Sequence, residues 1–313
     1  MPHDSLDEQF PRFTAHHAPY PGIDPLNGSA TGKIIFLSGA SKGIGQAVAV
    51  AFARAGAKGI YITARSAASL EETRRKVRGA NPDTACECRQ CDVTDERAVK
   101  RAVEDCVARF GGLDVADANA GCLEAWTPIG ESDPESWWKT WEVNIRGTYH
   151  VIRHATRHLM DSARRRAAEA RSGGHLVLMS SVGAQLLTPG ASDYQASKHA
   201  INRLCEFVQV DHGADGVKCF AVHPGGVDTA LGRNMPPQMH AHLVDPPEMA
   251  AGFIVWLCSG AADWAAGRYL SATWDVGELA RRQSLILRHE LFVNRLRARP
   301  RGDEGKGGID SWS

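Results

Sequence analysis

Apolar positions along the chain follow two patterns that alternate from about residue 33 onward. Short, continuous apolar runs are typical of buried strands, and between them lie stretches in which apolar residues recur with helical spacing. The runs predict strands at 34–37, 59–63, 84–93, 113–118, 175–179, 218–222 and 269–273. The other stretches predict helices at 44–55, 69–78, from 134, from about 145 past 160, at 195–212 and at 247–258. This alternation predicts an α/β fold in which helices cover both faces of a doubly wound parallel sheet.

The two ends of the chain depart from the alternation. Residues 1–31 are rich in proline and carry scattered histidines, which favours an extended N-terminal arm over a folded unit. Apolar residues at 279–297 are spaced for an amphipathic helix, and the charged, glycine-containing tail at 298–313 is typical of disorder. We therefore expect a single domain at 32–278, followed by a helical extension that covers either a substrate pocket or a subunit contact.

Charge and cysteine content narrow the classes of partner. Lys+Arg and Asp+Glu each total 36, and this balance argues against a nucleic acid or an anionic membrane as partner. No apolar run approaches the roughly 20 residues of a membrane span, and the N-terminus lacks a signal-peptide pattern, so we expect a cytoplasmic protein. The eight cysteines predict free thiols, because Cys88 and Cys91 would point to opposite faces of a strand and no second pair follows. We therefore predict no metal site.

A glycine-rich turn lies between the first predicted strand and the first predicted helix. Gly39 suits a tight turn, Gly43 allows the backbone to approach a pyrophosphate, and Gly45 allows the helix to pack against the sheet. Main-chain N–H groups at the start of the helix would face the phosphate anion. In this strand–turn–helix setting, the spacing predicts a dinucleotide site in a Rossmann-type sheet. The full turn is Ser38-Gly39-Ala40-Ser41-Lys42-Gly43-Ile44-Gly45.

The end of the second predicted strand bears on the choice of nucleotide. A carboxylate there would bind the ribose 2′-hydroxyl of NAD, but the chain has Ala64 followed by Arg65. Arg65 and Lys42 could converge on a 2′-phosphate, which arginine binds in a bidentate manner. We therefore expect NADP(H) to be preferred over NAD(H). The alternative is that Arg65 is an ordinary exposed residue beside the start of a helix.

Tyr194 and Lys198 lie one helical turn apart on a predicted helix. The ammonium group of Lys198 would favour the phenolate and lower the pKa of Tyr194 from its ordinary value of about 10. The pair could then exchange a proton with a substrate oxygen at ordinary pH. The same spacing is common on exposed helices, so the pair gains significance only together with the glycine-rich turn.

Several segments resemble, in order and spacing, the motifs of the short-chain dehydrogenase/reductase family. The resemblance covers about residues 33–277, with Ser181 placed 13 positions before Tyr194 and with Asn144 at the position of the family's catalytic asparagine. The glycine-rich turn matches the nucleotide turn of the family. The other matching segments are Cys91-Asp92-Val93, which resembles the adenine-binding segment, Ala118-Asn119-Ala120-Gly121, and His223-Pro224-Gly225-Gly226-Val227-Asp228-Thr229, which resembles the segment over the nicotinamide.

The resemblance implies that 32–278 is a dinucleotide-binding catalytic domain with a tetrad of Asn144, Ser181, Tyr194 and Lys198. Ser181 would polarise a substrate carbonyl and Tyr194 would be the general acid or base. Lys198 would lower the pKa of Tyr194, and Asn144 would hold a water that links Lys198 to solvent. The implied cofactor-binding residues are Ser38, Gly39, Ser41, Lys42, Gly43, Ile44, Gly45, Arg65, Asp92, Val93, Asn119, Ala120, Gly121, Tyr194, Lys198, Pro224, Gly225, Val227 and Thr229.

The substrate pocket should be lined by the segments that follow Gly121, Ser181 and Gly225. These segments are mostly apolar, which suits a hydrophobic or aromatic ketone, although several of the side chains could equally pack within their own loops. The predicted substrate-binding residues are Leu123, Trp126, Ser181, Gln185, Leu187, Tyr194, Gly226, Met235 and Met239.

We expect an NADPH-dependent oxidoreductase that reduces a ketone or oxidises the corresponding secondary alcohol. Two alternatives stay open: an isomerase or dehydratase on the same fold without net redox change, and a non-catalytic NADP(H)-sensing protein. The proline-rich arm and the segment 274–279 are similar to those of fungal family members, many of which belong to secondary metabolism. The resemblance also implies a homodimer or homotetramer.

Overall fold

The computed structural model describes residues 13–27, 30–169 and 171–296, and its centre is a seven-stranded sheet. The strands are β1 Ile34–Ser38, β2 Gly59–Ala64, β3 Ala85–Gln90, β4 Val115–Ala118, β5 His175–Met179, β6 Lys218–His223 and β7 Arg268–Ser271. All neighbouring strands pair in parallel, in the spatial order β3-β2-β1-β4-β5-β6-β7. The register places Ile35 of β1 opposite both Ile60 and Val115.

Helices connect the strands and cover both faces of the sheet. Several begin at a side-chain cap; at the start of α4, for example, Asp133 accepts a hydrogen bond from the Ser136 N–H at 2.9 Å and Pro134 occupies the first turn. The helices are α1 Gly43–Arg54, α2 Ala67–Ala80, α3 Glu96–Phe110, α4 Pro134–Trp141, α5 Thr148–Ala168, α6 Ser192–His212, α7 Pro247–Trp256, α8 Val276–Arg281 and α9 Gln283–Arg288. The predicted doubly wound, single-domain α/β fold is confirmed.

Strand β1 shows how two separate cores form on the two faces. All five of its residues are buried, as expected for a strand in the middle of a parallel sheet. Ile35 and Leu37 pack into a core with α1, α2 and α7, whereas Ile34 and Phe36 pack into a core with α3, α5 and α6. Successive side chains alternate between the faces because the strand has a period of two residues. The sheet is thereby fixed from both sides.

Some elements differ from the prediction in existence or in bounds. Helix α3 was not among the predicted helices, although Asp95 caps it and Val99, Val103 and Cys106 are buried along one of its faces. Helix α2 begins at Ala67 because Ser66 is the capping residue, earlier than the predicted start at 69. Strand β3 ends at Gln90, before the predicted end at 93.

The two ends of the described chain also depart from expectation. Residues 13–27 are not a free arm, because Ile23 is buried in the core beside α7 and short helical turns form at Pro21–Ile23 and Pro25–Asn27. The single helix predicted at 279–297 is wrong, since α8 ends at Arg281 and α9 at Arg288, and Glu290 and Phe292 have positive φ. Residues 1–12 and the predicted tail at 298–313 lie outside the described residues, and the domain boundaries stay a prediction. No helix in the described ranges is long and apolar enough to cross a membrane.

Asp117 is a buried acid in the middle of β4. Its side chain has no exposure, and neither carboxyl oxygen has a hydrogen-bond partner in the described part of the chain. Burial raises the pKa of this carboxyl from its ordinary 3.8 to about 8. Between these two values the folded protein keeps the proton and the unfolded chain loses it, so stability falls as pH rises through this window.

We predict that Asp117→Val stabilises the fold. The valine removes the protonation cost, which is no more than about 4 kcal/mol near pH 7. Urea unfolding at pH 5 and pH 8 should show a gain that is larger at pH 8, while Asp117→Asn should lose the pH dependence but gain less, because its amide stays unpartnered. A wild-type protein as stable as the valine variant at pH 8 would contradict this account.

Candidate active site

The site begins where the strand order changes direction, between β1 and β4. The connections from these neighbouring strands lead to opposite sides, which leaves a crevice at their carboxyl ends. The side-chain amide of Asn119 closes the base of this crevice by donating to the Ser38 carbonyl at 3.1 Å and the Gly39 carbonyl at 3.0 Å. The Ala120 N–H donates to the Ser38 hydroxyl at 3.3 Å. Four residues predicted to bind the cofactor therefore meet here.

The glycine-rich turn leaves a cradle above these contacts that a side chain would fill. Gly39 has φ +69°, and a Cβ on it would lie 2.7 Å from the Ala120 Cα. A Cβ on Gly45 would lie 2.5 Å from both the Asn119 amide nitrogen and the Gly39 carbonyl oxygen. Gly43 has φ +57° and lies against Thr229, whose methyl would be 3.1 Å from a Cβ. This bare backbone at the start of α1 suits a pyrophosphate, so the residues present fit a dinucleotide.

The remaining predicted nucleotide residues lie around the cradle. Lys42 is exposed at the N-terminus of α1, and Ser41 and Ile44 beside it are partly exposed. Arg65 is exposed directly after β2, on the same edge of the sheet.

Asp92 and Val93 differ in burial. Asp92 is exposed and accepts from both the N–H and the hydroxyl of Thr94, at 2.9 and 2.8 Å. Val93 is buried against Gly147, near the start of α5.

The Pro-Gly segment after β6 is fixed by a carboxylate further along the chain. Gly225 has φ +93°, and a Cβ on it would lie 2.5 Å from Oδ2 of Asp245. The Gly226 N–H donates to that oxygen at 2.6 Å, and the Asp245 N–H donates to the Gly226 carbonyl at 2.8 Å. Val227 forms a parallel bridge with Asp245. Pro224, Gly225 and Val227 are all buried in this arrangement.

Asn144 lies in a π-helical turn, Glu142–Gly147, between α4 and α5. Such a turn adds a residue to the helix and is frequent at functional sites. The fully buried Asn144 accepts from the Cys122 N–H at 2.8 Å, and its amide donates to the Cys122 carbonyl at 2.9 Å and the Ser197 hydroxyl at 3.0 Å. Ser197 lies between Tyr194 and Lys198 on α6. The asparagine thereby joins the segment after β4 to the helix that carries the predicted acid–base pair.

The other three members of the predicted tetrad meet at the same place. Nζ of Lys198 lies 5.5 Å from the centre of the Tyr194 ring, and a hydrogen bond with Ser181 acts on the Tyr194 hydroxyl. A Cβ on Gly121 would lie 3.6 Å from Oδ1 of Asn144 and 3.7 Å from Nζ of Lys198. The ammonium group of Lys198 donates to the Met179 carbonyl at 2.7 Å, at the end of β5.

Burial controls the pKa of both members of the acid–base pair. It lowers the pKa of Lys198 to about 8, and the nearby Cys122 thiol acts in the opposite direction. It raises the pKa of Tyr194, and the hydrogen bond with Ser181 offsets only part of that rise. For the chain alone the expected lowering of the Tyr194 pKa by Lys198 is therefore wrong, because desolvation outweighs the other effects.

The predicted substrate-binding residues differ in how exposed their side chains are. Leu123 is buried and its carbonyl accepts from the Asn234 side chain at 2.7 Å, while the Trp126 side chain packs against the turn at Gly190. Leu187 is 99% exposed and Gln185 is exposed, so neither packs within its own loop. The three others, Gly226, Met235 and Met239, are partly exposed.

Comparison with known proteins agrees with this geometry. The short chain dehydrogenase family profile matches residues 33–240. The chain belongs to the short chain dehydrogenase family. The short chain dehydrogenases mpl6 of Monascus purpureus and citE of Monascus ruber are each 44% identical to it over 276 residues, which cover 87% of this chain and 91% of theirs. The predicted family and its fungal members are thus confirmed.

Two solved structures of reductases share the fold. A dehydrogenase/reductase from Sinorhizobium meliloti has a TM-score of 0.69 and 27% identity, covering 80% of this chain and 97% of its own. The 3-ketoacyl-(acyl-carrier-protein) reductase from Brucella melitensis, solved with NADH, has a TM-score of 0.69 and 24% identity, covering 77% and 97%. The second similarity supports the fold alone.

Sequence reasoning missed two residues at this short chain dehydrogenase site. Asp245 supports the Pro-Gly segment, yet it lies 19 positions after Gly226 and belongs to no motif. The main chain of Cys122 fixes Asn144 through two hydrogen bonds, a role for which side-chain identity gives no signal. In the described ranges no three His, Cys, Asp or Glu side chains form a group that could hold a metal ion.

We predict that Gly45→Ala destabilises the fold and weakens nucleotide binding. Its Cβ would displace Asn119 or the Gly39 carbonyl, and such overpacking costs about 1–3 kcal/mol. The matched control is Gly79→Ala in α2, where a Cβ meets nothing within 4 Å and should add about 0.5–1 kcal/mol of stability. Denaturant unfolding measures the stability of each variant, and titration with NADPH measures its nucleotide affinity. Equal effects of the two alanines would contradict the proposal that the bare backbone at Gly45 forms the nucleotide cradle.

Proposed function

We propose that the chain is an NADP(H)-dependent oxidoreductase that reduces the ketone of a mostly apolar small molecule, or oxidises the corresponding secondary alcohol. The single observation that carries the proposal is the convergence of Asn144, Ser181, Tyr194 and Lys198 beside the bare backbone of the glycine-rich turn. Membership of the short chain dehydrogenase family supports the reaction class.

In the reductive direction, Ser181 and Tyr194 act on the substrate oxygen. The Ser181 hydroxyl donates a hydrogen bond to the carbonyl and stabilises the developing negative charge. Tyr194 then donates its proton to that oxygen, and its raised pKa keeps the phenol protonated until a substrate arrives. A bound nicotinamide supplies or accepts the hydride.

Lys198 and Asn144 support the proton donor. The Lys198 ammonium group places positive charge near the Tyr194 ring and so favours the phenolate that proton transfer leaves behind. The hydrogen bond from Nζ of Lys198 to the Met179 carbonyl holds the ammonium group in its position near the ring. Asn144 holds Ser197 and thereby the helical turn between the tyrosine and the lysine.

Arg65 supports the preference for NADP(H). Its exposed side chain follows β2 at the sheet edge that carries the glycine-rich turn, and an arginine at this place can bind a 2′-phosphate in a bidentate manner. Lys42, exposed at the start of α1, adds positive charge on the same edge.

The substrate class and the assembly belong to the same proposal. Exposed Leu187 and partly exposed Trp126, Met235 and Met239 offer apolar contacts to a ketone. Similarity to fungal short chain dehydrogenases supports a role in secondary metabolism. The exposed apolar residues Tyr149 on α5 and Phe207 and Val210 on α6 support a homodimer or homotetramer joined through these helices. A cytoplasmic location stays a prediction.

We predict that Tyr194→Phe lowers turnover about 100-fold or more while leaving the fold and nucleotide binding intact, because only the proton donor is lost. Consumption of NADPH with a panel of apolar ketones measures turnover, and isothermal titration measures binding. The control, Tyr61→Phe on β2, removes a hydroxyl whose contact with Asp105 is 3.5 Å long and should leave turnover unchanged. Substantial activity in the Tyr194 variant would overturn the assignment.

We predict that Arg65→Ala lowers the preference for NADPH over NADH about tenfold, because a charge-assisted contact with the 2′-phosphate is lost. The measurement is the ratio of kcat/KM for the two nucleotides at a fixed ketone concentration. The matched control is Arg75→Ala, which removes an exposed arginine further along the chain, on α2, and should leave the ratio unchanged. An unchanged ratio in the Arg65 variant would show that this residue does not recognise the phosphate.

A further inference from the structure

The described N-terminal segment, residues 13–27, which we call the strap, pairs with the chain after β7. Ala15 forms an antiparallel bridge with Trp274. The His16 N–H donates to the Thr273 carbonyl at 2.7 Å, and the Asp275 N–H donates to the Thr14 carbonyl at 3.0 Å. The strap is therefore held by its main chain along the edge of the domain.

Side chains of the strap reinforce this pairing. The Tyr20 hydroxyl donates to the Trp274 carbonyl at 3.1 Å and accepts from the Val276 N–H at 2.8 Å. The Phe13 ring stacks on the Trp274 ring with centroids 4.9 Å apart. Ile23 is 2% exposed. These contacts give the strap one defined position.

From that position the strap reaches the Pro-Gly segment of the active site. Nδ1 of His17 lies 2.7 Å from Oδ1 of Asp245 and donates to it, since the carboxylate only accepts. The other oxygen of the same carboxylate accepts from the Gly226 N–H at 2.6 Å. The Asp245 side chain is 3% exposed, so this carboxylate is divided between the strap and the active-site segment.

The sharing of the Asp245 carboxylate between His17 and Gly226 is important because this carboxylate determines the backbone conformation of the Pro-Gly segment. Gly225 and Gly226 lack side chains, and Gly225 approaches Oδ2 so closely that only glycine fits. With no side chain of its own to pack, this backbone is oriented by Asp245. A contact that fixes the Asp245 rotamer thus fixes the Gly226 N–H.

We propose that His17 is a positioning residue for the nicotinamide half of the cofactor, acting through Asp245 on the Gly225–Gly226 backbone. The proposal rests on the proposed nucleotide site, but not on turnover. It separates the two halves of the cofactor, because the adenosine half would lie at the glycine-rich turn, whereas His17 contacts Asp245, which holds the Pro-Gly segment.

The test measures equilibrium binding by isothermal titration of full-length protein with NADPH and with 2′,5′-ADP, which lacks the nicotinamide. His17→Ala should weaken NADPH binding about fivefold, the typical net effect of one hydrogen bond, and leave 2′,5′-ADP binding unchanged. His17→Asn, whose amide can still donate to Asp245, should restore most of the affinity. The same comparison with NADH and 5′-ADP makes the result independent of any phosphate preference.

The control is His16→Ala, which removes a contact of 2.9 Å between the strap and Asp275 and the stacking of His16 on Tyr20, and leaves the contact with Asp245 in place. It should keep NADPH binding within about twofold of wild type. Unchanged NADPH affinity in His17→Ala, equal weakening of both ligands, or an equal effect of His16→Ala would each overturn the proposal. A wild-type protein that binds NADPH but reduces no ketone would refute the proposed reaction and leave this binding test intact.

Discussion

The close approach of β1 and β4 at their carboxyl ends is the constraint on which the site depends. The Asn119 amide joins the two strands by bonding the Ser38 and Gly39 carbonyls, and a Cβ at Gly39 or Gly45 would occupy the space it needs. A partly buried amide nitrogen with two carbonyl acceptors at about 3 Å holds the ends of the two strands together. The nucleotide cradle is therefore a product of strand packing, as much as of the turn itself.

The acid–base pair is assembled from the other side of the same crevice. Asn144 bonds the main chain of Cys122, directly after the β4 segment, and also the Ser197 hydroxyl on α6. The Thr140 hydroxyl donates to the buried Asp193 carboxylate at 2.7 Å, which ties α4 to the start of α6. Residues far apart in the chain reach one place because short polar bonds connect a few rigid elements.

The fold could be predicted because its signals are local and repeated. Strands β1, β2, β4 and β5 are buried along their whole length, as expected for strands inside a parallel sheet, and their short apolar runs are visible in the sequence. Helix α3 was missed although its apolar residues, Val99, Val103 and Cys106 among them, recur with helical spacing and Asp95 caps its start. The prediction for the C-terminal segment failed for a different reason: Ile286 is buried, but Leu285, Leu287 and Leu296 are exposed, so the apolar residues do not form one buried helical face.

The parts of the site that belong to sequence motifs could be predicted, whereas the parts that depend on tertiary contacts could not. Asn144 and Lys198 lie near Gly121, and Tyr194 lies beside Lys198, so these motif residues are close together, while their catalytic roles stay a prediction. The pKa of Tyr194 could not be foreseen, because desolvation is a property of the packed structure. Asp245 lies in a stretch whose sequence gives no sign that its carboxylate bonds Gly226.

The position of the strap has a consequence for the order in which the chain becomes structured. Thr14 bonds Glu278 and Tyr20 bonds the main chain of Trp274 and Val276, contacts that join residues more than 250 positions apart. During synthesis the strap leaves the ribosome before the seven strands, but its docking surface is made only once the segment after β7 has followed. The strap must therefore wait for that segment, and the edge of the domain closes only when both are present.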